Sequence, residues 1–90
     1  MSRFAWDPEK AEANLRKHGV SFDEADEMLD DDRCEERPDI VHSFSEVRVR
    51  TIGYTAMNKV IVVITSVDGQ RPRIISARRA TKRERNEYTG

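Results

Sequence analysis

The feature that most constrains this chain is the run Val60-Ile61-Val62-Val63-Ile64-Thr65, six β-branched residues in succession. Branching at Cβ costs side-chain freedom in a helix and packs well on a pleated surface. A continuous apolar run, without polar alternation, predicts a strand covered on both faces. Turn signals bound it on each side, Ala56-Met57-Asn58 before and Asp68-Gly69 after, the latter a strong hairpin signal. From Glu46 the period is two: Val47, Val49 and Thr51 alternate with Arg48, Arg50 and Ile52, and Tyr54 follows Gly53. Arg73-Ile74-Ile75-Ser76-Ala77 reads as a third strand. Three strands joined by tight turns predict an antiparallel meander with the apolar run in the middle.

The N-terminal half follows a helical period. Asp7-Pro8 is an N-cap followed by proline at the first helical position, predicting a helix from Pro8 to about Lys17. Ala11 and Leu15 are four apart and are expected on one inward face. Gly19 is the expected stop. Ser21 with Glu24 forms a capping box and opens a second helix over about Phe22 to Leu29, with Phe22, Ala25, Met28 and Leu29 inward. Arg3-Phe4-Ala5-Trp6 reads as a short strand, and residues 30–39 as a loop with room for a short edge strand around Cys34–Arg37. Thr81 with Glu84 is a second capping box, predicting a basic helix to about Tyr88. Ninety residues make a single domain over 1–90. The fold class is α+β: an antiparallel β-sheet meander, an N-terminal helical hairpin packed on one face, and a short C-terminal helix. The hairpin must cover one sheet face, leaving the other free to be polar and basic.

Charge is segregated along the chain. Residues 1–46 carry 6 basic and 14 acidic side chains, a balance of −8; residues 47–90 carry 10 and 3, a balance of +7. The acidic residues concentrate in Asp23–Glu36, a solvated face or a docking surface for a basic partner. The basic ones are mostly arginine, whose planar fork grips phosphate bidentately. The sequence contains no zinc-ligand spacing, Walker loop, G-x-S-x-G or G-x-G-x-x-G motif. No cofactor or metal is expected. A single cysteine, no apolar run of bilayer length and no signal-peptide core point to a cytoplasmic protein with no membrane partner.

The candidate site residues follow from position. Arg78 and Arg79 stand where the last predicted strand ends, suited to a phosphodiester and the extra negative charge of its transition state. An ordinary solvated strand exit, or pairing with the acidic stretch, is the plain alternative. Lys17 and His18 stand at a helix C-terminus, where cations are favoured in any case. In a functional reading they supply a charge clamp and a group for proton transfer. Arg48 and Arg50 share one strand face, either a solvated edge or a track for nucleic-acid backbone. Trp6 and Tyr54 are expected in the core or at its margin.

Trp6-Asp7, Lys10, the block Asn14-Leu15-Arg16-Lys17-His18-Gly19-Val20-Ser21-Phe22-Asp23-Glu24-Ala25 and the block Arg73-Ile74-Ile75-Ser76-Ala77-Arg78-Arg79-Ala80-Thr81-Lys82-Arg83-Glu84-Arg85 resemble the BrnT family, toxins of type II toxin–antitoxin systems. The resemblance spans nearly the whole chain and is poorest from Asp30 to Glu46, so it assigns nothing to Glu35, Glu36 or His42. It implies a RelE-like fold and a ribonuclease that halts translation. It also implies a BrnA-type antitoxin that neutralises the toxin and forms an oligomer with it. DNA binding would belong to the antitoxin. Combined with the residues, it gives Arg78, Arg79, Lys17 and His18 the catalytic roles, and Arg48, Arg50, Arg73 and Lys82 the RNA. The competing readings are a non-catalytic nucleic-acid-binding module and a protein-interaction module.

Overall fold

The structure is a computed structural model and describes residues 3–38, 47–67 and 71–88. Two helices, α1 (Pro8–His18) and α2 (Phe22–Leu29), precede four strands, β1 (Glu35–Pro38), β2 (Arg48–Tyr54), β3 (Val60–Ser66) and β4 (Arg73–Arg79), and a short helix α3 (Lys82–Glu87). The strands form one antiparallel sheet in the order β1-β2-β3-β4. The expected α+β class holds, and the optional strand near Cys34 pairs as β1. The Asp68-Gly69 turn and His42 lie outside the described residues.

Each helix starts and stops as its residues dictate. The Asp7 carboxylate accepts from the Glu9 N–H, and both predicted capping boxes close, Ser21 with Glu24 and Thr81 with Glu84. Gly19 takes φ +70° while its N–H returns to the Leu15 carbonyl, a left-handed stop that glycine reaches without strain. At the end of α2 three aspartates oppose the helix dipole, and the helix ends at Leu29 with Asp30 as cap.

The core lies between the helical hairpin and one sheet face. Val20, Phe22, Ala25 and Met28 pack there on Ile61, Val63, Ile74 and Ala77. Trp6 meets Phe22 edge-on at 6.2 Å. Gly53 lies where Met28 crosses β2: a Cβ there would sit 2.7 Å from the buried Sδ, so β2 needs a residue without a side chain. The residues before α1 contribute one parallel bridge, Ala5 to Arg73, in place of a full strand.

Two local features refine what the residues predict. Leu15 is 48% exposed, and Asn14 is the residue α1 buries. Its side chain acts as a piece of strand. The amide NH2 donates to the carbonyls of Ala77 (2.8 Å) and Val20 (2.9 Å), and Oδ1 accepts the Ala77 N–H at 3.1 Å. Asn14 thus satisfies the outward main-chain groups of edge strand β4 and ties α1, the α1–α2 turn and the sheet together. The second feature concerns β4. Thr65 pairs with Ile74 but Ile64 pairs with Ser76, so Ile75 is an extra residue, a β-bulge. The bulge shifts the phase of alternation by one, letting both Ile74 and Ala77 reach the core.

Asn14→Ala removes three hydrogen bonds and leaves main-chain groups buried and unpaired. The expected loss is about 2 kcal/mol, read as a fall in melting temperature of roughly 8–16 °C for a domain of this size. A variant that melts with the parent by circular dichroism contradicts the clamp.

Candidate functional site

The face of the sheet turned away from the helical hairpin carries the arginines. Cross-strand pairing arranges it in rows: Glu35, Ile52, Val62 and Arg78; then Arg37, Arg50, Ile64 and Ser76; then Arg48, Ser66 and Arg73. Strand residues directly opposite share a face, so Arg37, Arg48, Arg50, Arg73 and Arg78 all project on one side. The β4 bulge matters here as well. It is what brings Arg78 onto the same face as Arg50 and Arg73.

Helix α3 lies over part of this face. Arg78 grips Glu84 with both ends of its fork, Nη1 to Oε1 at 2.7 Å and Nη2 to Oε2 at 2.9 Å. Arg50 approaches the second oxygen at 3.9 Å. The same carboxylate also accepts the Thr81 N–H at 2.8 Å, closing the capping box. Its pKa is pulled down to about 2, first by the hydrogen bonds from Arg78 and then by the Thr81 N–H, against the opposing effect of burial. The same pair pushes the Arg78 guanidinium up. The far end of α3 is held by Tyr88, whose hydroxyl donates to the Arg33 carbonyl at 2.7 Å and whose ring packs on Tyr54 at 5.3 Å. The Arg33 guanidinium covers Tyr54 at 4.5 Å from its centroid. Between α3 and the sheet is a pocket lined by Glu35, Arg37, Arg50, Ile52, Val62, Glu84, Glu87 and Tyr88.

The structure does not bring Arg78 and Arg79 together with Lys17 and His18. Adjacent residues on a strand point to opposite faces. Arg78 pairs across from Val62 on the α3 side, whereas Arg79 pairs across from the core residue Ile61. Lys17 and His18 end α1, which packs on the opposite side of the sheet from α3. Arg79, Lys17 and His18 therefore share one side and Arg78 stands on the other. Of the expected RNA-contacting residues, Arg50 joins Arg78 through Glu84, Arg48 and Arg73 occupy the third row, and Lys82 is exposed at the start of α3. Tyr54 lies under α3, where it meets Tyr88. Glu84 is the residue whose role sequence reasoning missed: the capping box accounts for it locally and gives no sign of its grip on Arg78. Among the described residues no group of three or more His, Cys, Asp or Glu side chains is arranged to hold a metal ion, and no helix is long and apolar enough to cross a membrane.

Chemically, the arrangement is an anion site with an internal anion in it. Guanidinium forks converge on a carboxylate, and a phosphate has the geometry to take its place.

Comparison with known proteins bears on this reading. The family described as ribonuclease toxin, BrnT, of type II toxin-antitoxin system matches residues 6–84. Among solved structures, the crystal structure of the Brucella abortus ribonuclease toxin, BrnT, is similar, with 26% identity and a TM-score of 0.66. The similarity covers 88% of this chain and 96% of that one. No curated protein matches.

The Arg78–Glu84 pair gives a pH test. The folded pKa of Glu84, about 2, lies below its ordinary value of 4.5. Its contribution is therefore present above 4.5 and lost as pH falls toward 2. Glu84→Gln should be less stable than the parent to urea at about pH 6, and the gap should narrow by about pH 3. A gap independent of pH contradicts the ionised pair.

Proposed function

Because the chain belongs to the BrnT family of ribonuclease toxins of type II toxin–antitoxin systems, we propose that the arginine face beneath α3 is where it cuts RNA. The observation that carries this reading is the bidentate hold of Arg78 on Glu84, with Arg50 alongside. A scissile phosphate takes over the Arg78 fork, and the added charge of the pentacoordinate phosphorane is met by Arg78 and Arg50. Arg48 and Arg73, in the third row, hold neighbouring backbone.

The nucleophile in this reaction is the substrate's own 2′-hydroxyl. The 2′-oxygen bonds to phosphorus, the bond to the 5′-oxygen breaks, and a 2′,3′-cyclic phosphate and a 5′-hydroxyl result. A base must accept the 2′ proton and an acid must supply one to the leaving oxygen. Glu84 is the base in this scheme, and water supplies the proton to the leaving 5′-oxygen. While Arg78 holds it, its pKa near 2 makes it a poor one. Once phosphate displaces it from the fork, the main cause of that depression is gone and its proton affinity rises. The charge stabilisation comes from guanidinium groups, so cleavage is metal-independent in this reading. Arg79, Lys17 and His18, on the other side of the sheet, stand outside this reaction.

The partners follow from the family. RNA is the substrate, and a BrnA-type antitoxin neutralises the toxin, forms an oligomer with it and carries any DNA binding. Cleavage in the cytoplasm inhibits translation and growth.

Purified protein incubated with labelled RNA in the presence of a chelator should produce ends bearing cyclic phosphate. Arg78→Ala and Arg50→Ala should each lower the rate by roughly 100-fold or more, the usual cost of removing a transition-state donor. If Lys17→Ala and His18→Ala abolish cleavage and Arg78→Ala does not, the site lies on the helical side. Binding without any cleavage leaves a nucleic-acid-binding module.

A further inference from the structure

Next to the arginine cluster, the pocket beneath α3 has features that phosphate chemistry does not use. Its floor is apolar, made by Ile52 and Val62, which stand side by side on β2 and β3. Tyr88 forms an aromatic wall. Two further carboxylates, Glu35 and Glu87, stand around it. Carboxylates repel a phosphate and an apolar floor does not solvate one. A nucleobase has the opposite requirements, a flat apolar face and a hydrogen-bonding edge, and aromatic walls are a common platform for it.

The polar edge narrows the base. Glu35 and Arg37 lie two apart on β1 and face the same way, with Arg37 Nη2 3.4 Å from Glu35 Oε1. Arg37 Nη1 also donates to the Glu36 carbonyl at 2.8 Å, so a ligand edge would exchange the Arg37–Glu35 contact for its own, with the carboxylate as acceptor and Nη2 as donor. Guanine alone among the four bases offers two adjacent N–H donors, at N1 and N2, beside a carbonyl acceptor at O6. Adenine and cytosine offer one amino group next to a bare ring nitrogen, which a carboxylate repels. Uracil offers one N–H between two carbonyls. Arginine to O6 of guanine is also a well-matched contact. Resting on the ribonuclease reading above, we propose that this pocket holds a guanine of the RNA strand. Glu35 reads its N1 and N2 donors, Arg37 reads O6, and Tyr88 stacks on the ring. The toxin therefore selects its cleavage position by guanine.

The test is binding of the four nucleoside 3′-monophosphates to the purified protein, by calorimetry or by chemical-shift titration. The guanine nucleotide should bind about 10-fold more tightly than the other three, as one good bidentate contact provides. Glu35→Gln should bring it within roughly 2-fold of the others, because one carboxylate oxygen is replaced by an N–H2 group that opposes the guanine donors. Arg50→Ala should weaken all four together. Equal affinities in the parent, or a preference that survives Glu35→Gln, overturn the proposal. The two readings fail separately. Guanine preference without RNA cleavage sinks the ribonuclease site and keeps the pocket. Cleavage with equal affinity for all four keeps the ribonuclease and sinks the pocket.

Discussion

One side-chain amide sets the frame for the rest of this fold. Asn14 pairs with both main-chain groups of Ala77 and with the carbonyl of Val20, and so joins a helix, a turn and the edge of the sheet at one point. An unpaired strand edge is an invitation to foreign strands, and here an asparagine covers it. The clamp also fixes which way β4 faces. Ala77 must present its main chain to Asn14 and its methyl to the core, so Arg78 must leave by the opposite face. The bulge at Ile75 makes this compatible with a buried Ile74.

From that constraint the arginine face follows, and α3 follows from the arginine face. Six residues are too few for a helix to persist in water without tertiary support. Glu84 fixes its first turn to Arg78, and Tyr88, just beyond its last, fixes it to Arg33 and Tyr54. The short helix is thus held by a charged contact at one end and an aromatic contact at the other. Only the first of these competes with a bound anion. Displacement of Glu84 leaves the Tyr88 anchor in place, so α3 can give way at its start while keeping its end.

Much of this was readable from the residues. The capping boxes at Ser21 and Thr81, the stop at Gly19, the alternation through β2 and the apolar run of β3 each carry a local physical cause, and each element formed where that cause stands. Period two alone also puts Arg78 and Arg79 on opposite faces of a strand, and grouping the two as one clamp overlooks it. Leu15 and Asn14 illustrate a deeper limit. Hydrophobicity favours burying the leucine, and only the exposed edge of a strand 63 residues away gives the asparagine better use of the position. The bulge is similar: Ile74-Ile75 shows two apolar neighbours, and which of them is extra is decided by pairing with β3. Glu84 accounts for itself locally as half of a capping box, so its contact with Arg78 leaves no trace in spacing.

The division of charge along the chain becomes a division in space. The acidic residues of α2 lie on the hairpin side of the sheet, and Arg37, Arg48, Arg50, Arg73 and Arg78 lie on the other, with Arg79 remaining on the hairpin side. The molecule is close to neutral as a whole, so at long range it neither seeks nor avoids a polyanion. What it has is an uneven spread of charge, acidic along α2 and basic along the rows of arginines. That unevenness is felt only within about one Debye length, roughly 8 Å at physiological salt. Selectivity at that range comes from which face a neighbour meets: the arginine rows favour an anion, and the outer face of α2 favours a cation.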